Sequence, residues 1–77
     1  MKISYDEKYD IAYIKFLNKK PDGAIEIDEG IVIDTTSNNE IVGIEIFNVK
    51  KRFPINTLYQ FEVSKHMRTI RRGKVNI

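Results

Sequence analysis

The sequence predicts an α+β fold, an antiparallel five-stranded β-meander followed by a C-terminal helix. Three observations predict it. Five short segments rich in β-branched and aromatic residues are separated by clusters of turn formers. The connections are too short for the crossover of a dozen or more residues that a parallel pair needs. After Pro54 the spacing of apolar residues changes from two to the helical period.

The elements follow in order. Lys2-Ile3-Ser4-Tyr5 alternates polar and apolar, as a first strand does. Asp6-Glu7-Lys8-Tyr9-Asp10 is a polar break of hairpin length, and Asp6 and Asp10 are expected to make the turn through bonds to nearby backbone N–H groups. Residues 11–17 form the second strand, with Ala12, Ile14 and Phe16 on one face and Ile11, Tyr13 and Lys15 on the other. Pro21-Asp22-Gly23 is a turn signal, because proline presets φ and glycine accepts a positive one. Residues 24–29 place Ile25 and Ile27 against Glu26 and Asp28. Glu29-Gly30 is a tight reversal, and Ile31-Val32-Ile33 is a short strand with Asp34 expected to open the next turn. Ser37-Asn38-Asn39 forms a loop tip, where asparagine tolerates the left-handed conformation. In the fifth strand Val42, Ile44 and Ile46 face one way and Gly43 and Glu45 the other, Gly43 marking a bulge or a close backbone approach.

Beyond Pro54, Ile55, Tyr59, Val63, Met67 and Ile70 form one apolar helical stripe, with Asn56 or Thr57 as cap and Gly73 past the end. The competing assignment is a strand over residues 58–63, where Leu58, Gln60 and Glu62 alternate with Tyr59, Phe61 and Val63. The expected organisation is a single domain over residues 1–77, with the meander in 1–52 and a basic helical tail in 53–77.

Composition narrows the function. The 77 residues are 42% apolar and 31% charged, a globular balance. There is no cysteine for a disulfide or thiolate zinc site, and one histidine excludes most metal sites and relay pairs. No apolar run approaches the roughly 18 residues of a membrane helix, and Met-Lys-Ile-Ser opens no signal-peptide core, so a cytoplasmic location is expected. No Gly-rich phosphate loop or nucleophile elbow is present, and no cofactor is expected.

Charge is unevenly distributed. Residues 1–50 carry six lysines and ten acids, whereas residues 51–77 carry seven bases and one acid, Glu62. The tail could complement the acidic sheet of its own chain or of a twin. Alternatively, Lys65, Arg68, Arg71, Arg72 and Lys74 are candidate contacts to nucleic acid or to an acidic partner.

The remaining polar residues are weighed against ordinary structural roles. Glu26, Asp28, Asp34 and Glu45 could together bind a hard cation, but alternate outward carboxylates are also the solvated face of a sheet, which is the expectation taken. A paired acid–base role for Asp6 and Asp10 gives way to turn making. His66, lacking a nucleophile or second ligand, belongs to a helix flank. Tyr5, Tyr9, Tyr13 and Tyr59 are expected to pack in core and interface, because phosphate repulsion from an acidic sheet opposes base stacking.

The expected inward set is Ile3, Tyr5, Ala12, Ile14, Phe16, Ile25, Ile27, Ile31 or Val32, Ile33, Val42, Ile44 and Ile46. One helix of about four turns, roughly 22 Å, covers only part of that face. Ile11, Tyr13, Ile41 and Phe47 are apolar on the other. A homodimer is therefore expected.

Ile3-x-Tyr5-Asp6, Asp10-x-x-Tyr13-Ile14, Gly30-Ile31-Val32-Ile33-Asp34 and Ile41-Val42-Gly43-Ile44-Glu45-Ile46 together resemble a family of short prokaryotic proteins catalogued as a domain of unknown function, family 2283. The resemblance covers about residues 1–52. It implies no enzymatic activity, and it implies an antitoxin-like role for some members, as partners of a small toxin. The chain departs from the family pattern at Asn48-Val49-Lys50-Lys51-Arg52, and the basic tail lies beyond it. The expected function is a non-enzymatic protein-interaction module. The alternatives are a metal-binding or enzymatic acidic face, or a purely structural homo-oligomer.

Overall fold

The computed structural model describes residues 1–65. Five strands form one sheet: β1 (Lys2–Asp6), β2 (Ile11–Lys15), β3 (Gly23–Asp28), β4 (Ile31–Thr35) and β5 (Ile41–Phe47). A four-residue helix, α1 (Val49–Arg52), and a 3-10 turn, η1 (Ile55–Tyr59), follow. Every strand pair is antiparallel, as expected from the short connections.

The strand order corrects the meander. It is β1-β2-β5-β4-β3, so β5 inserts beside β2 and β3 becomes an edge. β3, β4 and β5 are hairpin-connected, and β2 reaches β3 by a longer link, which is a Greek-key arrangement. Spanning three strand spacings takes about 14 Å, and the seven residues 16–22 can extend over about 23 Å. Pro21-Asp22 therefore ends a crossing and does not close a β2–β3 hairpin. The Asp22 N–H donates to the Thr35 carbonyl at 2.9 Å, and the Asp22 carboxylate accepts from the Ser37 N–H at 2.9 Å, pinning the link to the far hairpin.

The turns largely follow their residue chemistry. Asp6 accepts from the N–H groups of Lys8 (2.9 Å) and Tyr9 (3.2 Å). Gly30 has φ 80°, and Asn39 φ 66° at the β4–β5 loop tip. Thr36 Oγ1 accepts from the N–H groups of Asn38 and Glu40 at 3.2 and 3.1 Å, closing that loop. The Lys19 ammonium lies 2.8 Å from Glu40 and holds its carboxyl below the usual range.

The tail departs from both sequence-based assignments. Residues 60–65 carry neither helix nor strand. Pro54 keeps Phe53 extended, at φ −165° and ψ 162°. The Thr57 hydroxyl, expected to cap a helix, instead donates back to the Pro54 carbonyl at 2.7 Å and closes a single 3-10 turn. Among the described residues the helical content is therefore a short helix and a 3-10 turn. Met67 and Ile70 of the expected stripe, and His66 on its flank, lie outside the described residues.

Only Ala12, Val42 and Val49 are buried apolar side chains among the described residues. Ala12 lies in β2, Val42 near the start of β5 and Val49 at the start of α1.

Candidate interaction surface

Register decides what each sheet face presents. Ile3 pairs with Ile14, Ile14 with Ile44, Ile44 with Ile33 and Ile33 with Ile25, so one row of five isoleucines crosses the entire sheet. The next row on the same face runs Tyr5, Ala12, Ile46, Ile31. This is the expected inward set, yet it is not enclosed. Ile3, Ile14, Ile33 and Ile44 are half-buried, and Ile25 and Ile27 at the β3 edge are 56% and 58% exposed. Full burial of one such side chain contributes about 1.5–3 kcal/mol, much of which this face leaves unrealised.

The opposite face is closed locally. Tyr13 lies across Gly43, so that a Cβ built there would collide with the phenol ring and hydroxyl and would stand 2.7 Å from the Ile14 carbonyl oxygen. Gly43 is thus the close approach that its place in an apolar strand signalled. Asp34, opposite Gly43, is only 8% exposed. It sits inside β4 and does not start a turn, which corrects that expectation. Burial first, then the neighbouring Asp34 carboxyl, push the Glu45 carboxyl up. Burial and then the Asp34 charge push the Tyr13 phenol up as well.

Of the four acids considered for a cation, only Asp34 and Glu45 therefore meet. Glu26 stands opposite Val32, and a bulge at Ile27 moves Asp28 opposite Ile31. Among the described residues no three acids, histidines or cysteines come together as metal ligands. An open cleft of about 330 Å³ at the β1–β2 end is lined by Met1, Lys2, Lys15, Phe16, Leu17 and Asn18, and holds no acid to pair with its two amines. No helix among the described residues is long and apolar enough to cross a membrane.

Asp10 does more than make a turn. At φ 58° its carboxylate accepts from the Tyr5 hydroxyl at 2.7 Å and from the Lys50 N–H at 3.2 Å, while its carbonyl accepts from the Val49 N–H at 3.2 Å. It fastens α1 to the first hairpin. The Tyr5 bond and then Lys50 lower the Asp10 carboxyl, and the Asp10 bond is the main cause that pushes the Tyr5 phenol up to about 12. Arg52 clamps the other end: its Nε donates to the Phe47 carbonyl at 2.9 Å and its Nη2 to the Glu29 carbonyl. One tail base thus does reach its own acidic hairpin. Sequence reasoning missed both anchors, because each joins segments separated by 23 to 40 positions.

Tyr5 and Tyr13 pack as expected, while Tyr9 and Tyr59 are 62% and 77% exposed. Lys65 is exposed. Arg68, Arg71, Arg72 and Lys74 lie outside the described residues.

No curated protein and no solved structure matches the chain. A family model does match, over residues 2–50, from the first residue of β1 to the second of α1, and so includes the isoleucine row, the Tyr13–Gly43 contact and the Asp10 anchor. The chain therefore belongs to the family described as "Protein of unknown function (DUF2283)".

Proposed function

We propose that this protein is a small non-enzymatic interaction module whose apolar sheet face is completed by a second copy of the chain. The observation that carries this is the unbroken row Ile3, Ile14, Ile44, Ile33, Ile25 on a fold with three buried apolar side chains among its described residues. A row of one side-chain type is self-complementary about a two-fold axis, where each residue must meet a symmetry mate. Its uncharged character disfavours a strongly charged occupant. The test is sedimentation equilibrium of the full chain beside Ile25→Lys. Position 25 is already exposed, so the fold should tolerate lysine while the dimer weakens by at least about tenfold, the equivalent of 1.4 kcal/mol. A monomer mass for the unmodified chain at micromolar concentration would refute dimerisation.

A second reading, an antitoxin-like partner of a small basic toxin, is favoured by one feature. Residues 21–49 contain seven acids and no lysine or arginine. Complementary charge speeds encounter and selects partners. Co-expression with the neighbouring reading frame tests it: rescue of growth from a basic, RNase-like product supports the antitoxin role, and unrelieved toxicity counts against it. The basic tail beginning at Lys65 is proposed to contact nucleic acid or an acidic partner.

A further inference from the structure

β3 is an edge strand, paired on one side only, and all six of its residues are exposed. Edge strands present a row of unpaired backbone donors and acceptors, and proteins ordinarily guard them with lysine, proline or a bulge. β3 contains no lysine and no proline. Its one irregularity, at Ile27, lies near the end and leaves residues 23–26 in straight register with β4. The other edge is different: β1 carries Lys2, and its Ile3 and Tyr5 are half-buried.

Residues 21–29, which span β3, carry charge of one sign. Asp22, Glu26, Asp28 and Glu29 lie within or beside the strand. Asp22 and Asp28 bond to backbone N–H groups, which leaves their charges unneutralised. Glu26 has no side-chain partner among the described residues, where the sole ion pair is Lys19–Glu40. Arg52, the cation that reaches this end among the described residues, donates from Nε and Nη2 to carbonyls and not to these carboxylates. Next to the acids, Ile25 and Ile27 offer apolar side chains.

We propose that the β3 edge accepts an extended polypeptide segment alternating basic and apolar residues, which adds to the sheet as a sixth strand. Main-chain hydrogen bonds would supply the pairing and alternate side chains the selectivity. A second copy of β3 is the poorer occupant, because it brings the same acids to the same edge, and like charges across a strand pair are destabilising. The hydrogen-bonding edge of β3 shares only Ile25 with the isoleucine row, so a dimer formed on that row leaves the β3 backbone edge open. The inference deepens the interaction-module reading by naming the partner's chemistry.

The experiment titrates the ¹⁵N-labelled full chain, at low salt, with a six-residue peptide alternating lysine and valine. Amide shifts and slowed hydrogen exchange confined to residues 22–29 are expected. Glu26→Gln, a conservative change at an exposed site, should weaken binding about threefold, and Glu26→Lys about tenfold or more. Shifts centred on β1, or on Ile3, Ile14, Ile33 and Ile44, would overturn the proposal. So would equal binding of a glutamate–valine peptide or of a lysine–valine peptide interrupted by proline, and so would the absence of any shift at millimolar peptide. Sedimentation of the same samples separates the two claims. A dimer that ignores the peptide sinks the sixth strand alone, and a monomer that binds it at β3 sinks dimerisation alone.

Discussion

The two faces of this sheet are built from the same five strands and solve burial in opposite ways. On one, Tyr13 lies over Gly43 and Asp34 is buried beside it, so the face closes on itself locally. On the other, Ala12 and Val42 are buried, but five isoleucines stand in register across the full width, half-buried to exposed, and neither helix nor turn among the described residues is long enough to cover them. The difference teaches where each face's stability comes from. The first depends on one close backbone approach. The second, on the reading proposed above, depends on a second copy of the chain.

The largest expected effect falls on the closed face. Gly43→Ala places a methyl group against the Tyr13 ring and the Ile14 carbonyl, and should cost about 3 kcal/mol in urea denaturation. Tyr13→Ala should not restore it fully, since the backbone contact remains. Full recovery in the double variant would show that the side chain alone sets the constraint. Val49→Ala comes next. It removes two methyl groups from a fully buried position where α1 meets the sheet, and should cost about 2 kcal/mol by the same measurement.

The pH dependence sharpens the contrast further. Glu45 holds its proton more tightly in the folded chain, so its contribution is present below the unfolded value near about 4.3 and is lost as pH rises through the raised value. Glu45→Gln should flatten that loss. Asp10 works in the other direction: its contribution is present above about 3.9 and is lost as pH falls through the lowered value. Denaturation midpoints between pH 3 and 8 would separate the two. The Tyr5 contribution holds below about 10 and is lost as pH climbs toward 12, so Tyr5→Phe should remove the late step from an alkaline absorbance titration. The smallest effect is reserved for the tail. Retardation of duplex DNA at low salt should be weak and should vanish when Lys65, Arg68, Arg71, Arg72 and Lys74 are replaced together.

How far the sequence carries depends on the range of the interaction. Alternation alone places Ile3, Ile14, Ile25, Ile33 and Ile44 on one face, because side-chain direction has a period of two whatever the neighbours. Gly43 is likewise visible as an interruption. Its partner is not, since Tyr13 reaches it only through the β2–β5 pairing, and a hairpin rule would have put β3 there. The bulge at Ile27 is equally hidden and displaces Asp28 from the polar face where alternation sets it. Over the described residues 55–65, the helical stripe beyond Pro54 fails for a local reason. Its first turn is taken by a Thr57 hydroxyl bonded backward, and Tyr59, Phe61 and Val63 lose side-chain freedom in a helix without a packed surface to compensate.

The open face makes one claim that a single number can test. Sedimentation equilibrium of the unmodified chain at micromolar concentration should return twice the 9.0 kDa chain mass, and Ile25→Lys should move it toward one. A mass of one chain across that range, with cooperative unfolding intact, would mean that the isoleucine row is stable in water without a twin.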